Sequence, residues 1–335
     1  MQRLLLSSLV TLIFILNSCQ SNDSMRIGFL YTSPNTERYV KESNYFKQHG
    51  EKLGVEVIVE HGQGDEAKQF EKALEMFDQG IDALTVISVN ANTAAAIVRE
   101  GHERGVKVIA YNRLIKNCDL DLYIAGDNED LGKIMVGEIL KVKSQGKAII
   151  LGGDKYDRNA VEMHASIKKE LQPSIDRGDI EILYETYIEE WSAVNAAFEL
   201  DQFLSFTGIV PDIIFAGYDG IADASVRVLE EHNITSPVYI TGQDAELRGV
   251  KNILAGKQQM TAFHPLETIA EQAAELVVLM LKNEKKFNKT NLSYTNNGQK
   301  EVPTLKVASI AVTKENLNKV LIDDSGFYSK EEVYN

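Results

Sequence analysis

From Ala83 to Arg113 the chain reads ALTVISVNANTAAAIVREGHERGVKVIAYNR. Ala83 to Ser88 is an apolar run of strand length. Thr93 to Arg104 carries helical periodicity and stops at Gly105, a residue that closes helices because it tolerates the left-handed conformation. Val106 to Tyr111 is a second apolar run. A strand, a helix and a strand in this order predict a parallel crossover. Strands apolar on both faces need helices on both sides of their sheet.

The same rhythm extends in both directions. Upstream, strands are predicted at Arg26 to Tyr31 and Val55 to Glu60, and helices at Glu37 to Leu53 and Ala67 to Gln79. After Tyr123-Ile-Ala-Gly126 it restarts. Helices are expected at Leu131 to Val142, Asn159 to Leu171, Ala193 to Phe206, Ile221 to His232 and Leu247 to Ala255. Strands are expected at Lys147 to Gly152, Glu181 to Thr186, Ile213 to Ala216 and Val238 to Thr241. The chain therefore holds two α/β units of similar size. The last part differs: a strand at Gln259 to Phe263, a long helix at Leu266 to Lys282, and a strand at Val307 to Val312. The polar stretch Asn283 to Lys300 is expected to be a mobile loop.

The N-terminus sets the compartment. Arg3 precedes an apolar segment, Leu4 to Leu16, and Asn17-Ser18-Cys19 follows. This pattern resembles a bacterial lipoprotein signal, with residues 1–18 removed, Cys19 lipidated and 19–24 as a tether. A plain secretory signal would equally export the chain. Hydrophobic content of 44% and charged content of 25% describe a globular protein. A net charge of -14 repels phosphate backbones, so nucleic acid is a poor partner. With Cys19 committed to lipid, Cys118 has no partner for an internal disulfide.

Motifs for catalysis are missing: no phosphate-binding glycine loop, no nucleophile elbow, no C-x-x-C, and histidines without metal-ligand spacing. No catalytic residue and no metal ligand is therefore assigned. Polar planar residues instead gather at strand ends, where open α/β sheets bind ligands. Arg38 follows the first strand; Asn90, Asn112 with Arg113, Asp157-Arg158-Asn159, Tyr218 with Asp219, Gln243 with Asp244, and His264 follow later ones. Such groups suit vicinal hydroxyls, since one Asp, Asn or Arg side chain bonds two at once. Trp191, the single tryptophan, and Tyr39 offer aromatic faces for the C–H face of a sugar. Asp219 and Asp244 are equally placed to cap helices.

The order Glu37-Arg38-Tyr39, Ile109-Ala-Tyr-Asn-Arg113, Gly152-Gly153 with Asp157-Arg-Asn-Ala160, Trp191 with Asn195-Ala196, Thr241-Gly-Gln-Asp-Ala245 and Met260-Thr-Ala-Phe-His-Pro265 resembles the xylose-binding proteins of sugar ABC transporters. The likeness runs from Met25 to the C-terminus, through Asn297-Gly298 and Val302-Pro303. It implies the type I periplasmic-binding fold: two similar doubly wound parallel-sheet lobes, a hinge of three crossing strands, and a sugar between them. The lobes are expected at 25–127 plus 264–303 and at 128–263 plus 304–335. The pocket positions implied are Arg38, Asn112, Arg113, Asn159, Trp191, Tyr218, Asp244 and His264. The family usually has Asp at Asn112, Asn at Tyr218 and Lys at His264, so the identity of the sugar is open. Crossings are expected near Gly126-Asp127-Asn128, His264-Pro265 and Val302 to Thr304, which permits hinge bending.

The reading that results is a membrane-anchored receptor, a monomer without cofactor or enzymatic activity. It would capture a monosaccharide by cleft closure and deliver it to an ABC permease. The alternative is a sugar-sensing subunit for a membrane sensor kinase.

Overall fold

The computed structural model describes residues 25–288 and 290–335. The expected signal segment, Cys19 and the expected tether to residue 24 lie outside the described residues. The first lobe opens with β1 (Arg26–Tyr31), α1 (Glu37–Lys52), β2 (Glu56–His61), α2 (Glu66–Asp78), β3 (Ala83–Val86), α3 (Ala95–Glu103), β4 (Lys107–Tyr111) and β5 (Leu122–Gly126). The second lobe follows: α4 (Asn128–Val142), β6 (Gly146–Leu151), α5 (Arg158–Asp176), β7 (Ile180–Thr186), α6 (Ala193–Thr207), β8 (Ile213–Ala216), α7 (Asp219–Glu231), β9 (Tyr239–Ile240), α8 (Leu247–Leu254) and β10 (Met260–Phe263). The chain returns to the first lobe with α9 (Leu266–Lys282), α10 (Glu284–Phe287), β11 (Ser293–Asn296) and β12 (Glu301–Val307). It ends in the second lobe with β13 (Ile310–Thr313) and α11 (Lys330–Tyr334).

The first sheet has the order β11-β12-β5-β4-β3-β1-β2, parallel except for β11. The second has the parallel order β7-β6-β8-β9. A bridge between Gln243 and Ala262 joins it to the antiparallel pair β10-β13. β3, β5 and β8 are buried at every residue, as strands covered on both faces must be. In the first lobe α1 and α9 close one face over Phe29, Phe46 and Ala273, while α2 and α3 close the other over Met76, Leu84 and Ile97. In the second, α6 and α7 oppose α4 and α5.

Two expectations need correction. Asn283 to Lys300 is not a free loop: it holds α10 and β11, and β11 is hydrogen-bonded along β12. Its polarity is that of an edge strand, whose Ser293, Tyr294 and Asn296 face solvent. The third crossing is also later than Val302 to Thr304. β12 stays beside β5 until Val307 pairs with Gly126, so the chain changes lobe at 308–309, and the run expected as one strand at Val307 to Val312 is the end of β12 and the start of β13.

The crossings touch one another. The Asp127 N–H donates to the Val307 carbonyl at 3.0 Å. The Ser309 hydroxyl meets His264 Nδ1 at 2.9 Å. A hinge built this way keeps its strands in register while the lobes pivot.

Candidate functional site

The strand tips of both lobes face one cavity of about 460 Å³. Arg38, Asn112, Arg113, Asn159, Trp191, Tyr218, Asp244 and His264 all line it. Their placement begins with local backbone. Asn112, Trp191 and Asp244 adopt positive φ, 59°, 54° and 82°. Non-glycine residues held there are strained, and such strain concentrates where side-chain direction matters.

Arg38, in the first turn of α1, reaches across to Asp244: Nη1 donates to Oδ1 at 2.7 Å. Its Nε donates to Glu42 Oε1, one turn along, at 3.3 Å. Burial works against the Arg38 charge, but Glu42 and Asp244 outweigh it and hold the guanidinium above its ordinary pKa. Asn159 Nδ2 donates to the Asn112 carbonyl at 3.1 Å, which also accepts from the Tyr123 hydroxyl at 3.1 Å. Asn112 Nδ2 donates to the Tyr39 hydroxyl at 3.2 Å. In the structure the halves already meet, because opposite charges and amide dipoles at the strand tips pair directly.

Trp191 owes its position to a neighbour without a side chain. A Cβ on Gly153 would lie 2.2–2.3 Å from three indole carbons. The indole N–H donates to Asp157 Oδ2 at 3.3 Å, and the ring meets Tyr218 edge-on, with centroids 6.2 Å apart. Arg113 lies 3.7 Å from the same Asp157 oxygen, and its buried Nε has no hydrogen-bond partner. Tyr39 and then Asp157 favour its charged form.

His264 is buried, between Ser309 on Nδ1 and Gln243 Oε1 on Nε2 at 3.1 Å. The Gln243 amide N–H₂ donates to the Gly217 carbonyl at 2.6 Å, so its oxygen faces the ring. The imidazole then carries its proton on Nε2. Burial, and then Arg38, lowers its pKa to about 3, so the ring is neutral at physiological pH.

Two expected ligand contacts are not part of the cavity wall. Asp219 is fully buried at the start of α7 and accepts from Gln258 Nε2 at 2.7 Å, the Glu246 N–H at 2.8 Å and the Thr261 hydroxyl at 2.9 Å. It ties α7 to α8 and β10. Asp219→Ala takes the acceptor from the Glu246 N–H and the Thr261 hydroxyl and leaves Gln258 Nε2 only the Met260 carbonyl, so denaturant unfolding is expected to show a loss of about 3 kcal/mol. Asn90 organises the turn before α3. Its Oδ1 accepts from the Asn92 N–H at 2.8 Å and its Nδ2 donates to Glu66 at 2.9 Å. It borders a neighbouring cavity instead.

Sequence reasoning left out Asn128, Lys41, Phe327 and Tyr328, which also line the main cavity. Asp157 and Gln243, members of the strand-end polar set, line it as well. Phe327 and Tyr328 come from the C-terminal segment, where no strand marks them. Among the described residues no group of three or more His, Cys, Asp or Glu side chains converges to hold a metal ion.

Glu42 lies beneath the site, fully buried, with Oε2 unpartnered. Burial raises its pKa to about 7, against the opposing pull of Arg38. The folded chain therefore binds this proton more tightly than the unfolded chain. The resulting stability is complete below the unfolded value near 4.5 and is lost as pH rises through 7. Glu42→Gln removes this loss. Its stability relative to the parent is expected to improve by about 2–3 kcal/mol between pH 4 and pH 8 in denaturant titrations.

The family described as periplasmic binding protein domain matches residues 27–285. The D-xylose-binding periplasmic protein of Haemophilus influenzae is 33% identical, over 98% of this chain and 98% of that protein. The protein of the same name from Escherichia coli is 31% identical over the same shares. A carbohydrate transporter solute-binding protein from Chloroflexus aurantiacus, solved with D-glucose, superposes with a TM-score of 0.82 at 25% identity, covering 92% of this chain and 98% of that one. With two α/β lobes, three crossings between them and a cavity walled by both sets of strand tips, this chain belongs to the periplasmic binding protein family and has its type I fold.

Proposed function

We propose that this protein is an exported, lipid-anchored receptor that captures a neutral monosaccharide of the xylose type and hands it to an ABC permease. One observation carries the reading. A single tryptophan, two arginines, an aspartate and paired amides converge on one interlobe cavity, and the His264 imidazole in its wall is neutral. The indole offers an apolar face to ring C–H groups. Arg38, Arg113 and Asp244 supply charge-assisted hydrogen bonds to hydroxyls. The arginine charges are balanced by Asp244, Glu42 and Asp157, which favours an uncharged ligand. The two xylose-binding relatives support the substrate class, and the "periplasmic" in their names supports export. Arg3, the apolar run to Leu16 and Cys19 support the anchor.

Asn112, Tyr218 and His264 tune the pocket away from that pattern. Asn112 tolerates positive φ and donates to Tyr39, so it holds one amide oxygen for a hydroxyl in place of a carboxylate. A thermal-shift screen of pentoses, hexoses and polyols tests the reading, because a ligand bound only by the folded state raises Tm. At least one neutral aldose is expected to give a saturable rise. A flat response to every neutral sugar would contradict it.

A further inference from the structure

We infer that the C-terminal segment is a latch for the sugar site, in which Lys41 of the first lobe docks on the rings of Phe327 and Tyr328 of the second and sets how slowly a bound ligand leaves. The inference rests on the proposal that the lobes close over a sugar. Lys41 Nζ lies 4.1 Å from the Phe327 ring centroid and 5.0 Å from that of Tyr328, within cation–π range. Its other partner is Glu37 Oε1 at 2.9 Å, on its own helix.

The aromatic pair is fixed to the second lobe. Phe327 packs on Phe263 at the end of β10, with centroids 5.0 Å apart, one residue before His264. The Tyr328 hydroxyl donates to the carbonyl of Ala245, the residue after Asp244, at 3.0 Å. Lys41 stands three residues after Arg38 on α1, so the two cations share a helix face. One crosses the cleft to a carboxylate and the other to aromatic rings. All of these groups except Phe263 and Ala245 line the ligand cavity. Hinge opening that carries α1 away from the second lobe parts both contacts together. They therefore stabilise the closed state alone, and dissociation has to break them.

Stopped-flow exchange of D-xylose, followed by tryptophan emission, tests this. Lys41→Met and Phe327→Leu are each expected to raise koff about 3- to 10-fold with kon changed less than 2-fold. Lys41→Arg keeps the cation and restores the slow rate. The double variant is expected to be no faster than Lys41→Met, because loss of the cation already removes its contacts with both rings. Unchanged koff in both single variants, or effects that multiply in the double, would overturn the latch. If the parent fails to bind D-xylose, the exchange is run with the neutral aldose that raises Tm most; if no neutral aldose binds, the functional reading is what fails. The same cycle read on denaturation midpoints of the free protein then decides the latch, through coupling or its absence.

Discussion

Asp244→Ala is expected to raise the Kd for the best sugar by at least about 100-fold and to erase its thermal shift. The carboxylate is the second lobe's partner for Arg38 at 2.7 Å, and it lies 3.6 Å from His264. Without it Arg38 faces the cavity balanced only by Glu42, which the protein holds near its protonation point at neutral pH. Charge-assisted hydrogen bonds contribute about 1.5–3 kcal/mol each, and a carboxylate that grips two hydroxyls loses both when truncated. The fold should survive. The Asp244 N–H donates to the Ala262 carbonyl at 2.9 Å whatever the side chain. Asp244→Asn separates charge from geometry: Asn accepts the φ of 82° more readily than Ala, so a loss there of about 10-fold reports the charge. Full binding by Asp244→Ala would remove this residue from the site.

Gly153→Val is expected to match Trp191→Ala, although Gly153 does not line the cavity. Three indole carbons lie 2.2–2.3 Å from where its Cβ would stand, so the whole ring has to leave. Nothing in the Gly153 backbone forbids a side chain, because its φ is not positive. Both variants remove the only aromatic face of this size in the site, and each is expected to weaken binding by about 100-fold. The double variant should be no worse than either, since the slot and the ring are one device. Gly153→Val should also shift the tryptophan emission to the red as the ring meets water. A Gly153→Val protein that binds normally would show that Trp191 is dispensable.

Sequence made the lobes legible where burial is two-sided. β8 and α9 lie at Ile213–Ala216 and Leu266–Lys282, as their apolar patterns predict. It failed where polarity carried two meanings. Ser293 to Asn296 is an edge strand, yet its side chains resemble a loop. Asp219 and Asp244 both follow a strand, but one is buried as a brace and the other turns into the cavity. That difference comes from positive φ at Asp244 and from Gln258 and Thr261 around Asp219, which no local pattern encodes. Phe327 and Tyr328 were hidden because a terminal segment reaches the site only through tertiary packing on Phe263 and Ala245.

Trp191 is the only tryptophan in the chain, so tryptophan emission comes from one ring in the cavity wall. Titration of the purified protein with D-xylose and other neutral aldoses is therefore the most direct test. Saturable emission change at one site, with the sugar recovered unaltered, is the predicted result. Emission that no neutral monosaccharide moves, or a sugar converted to product during the titration, would contradict a receptor that grips its ligand between hinged lobes.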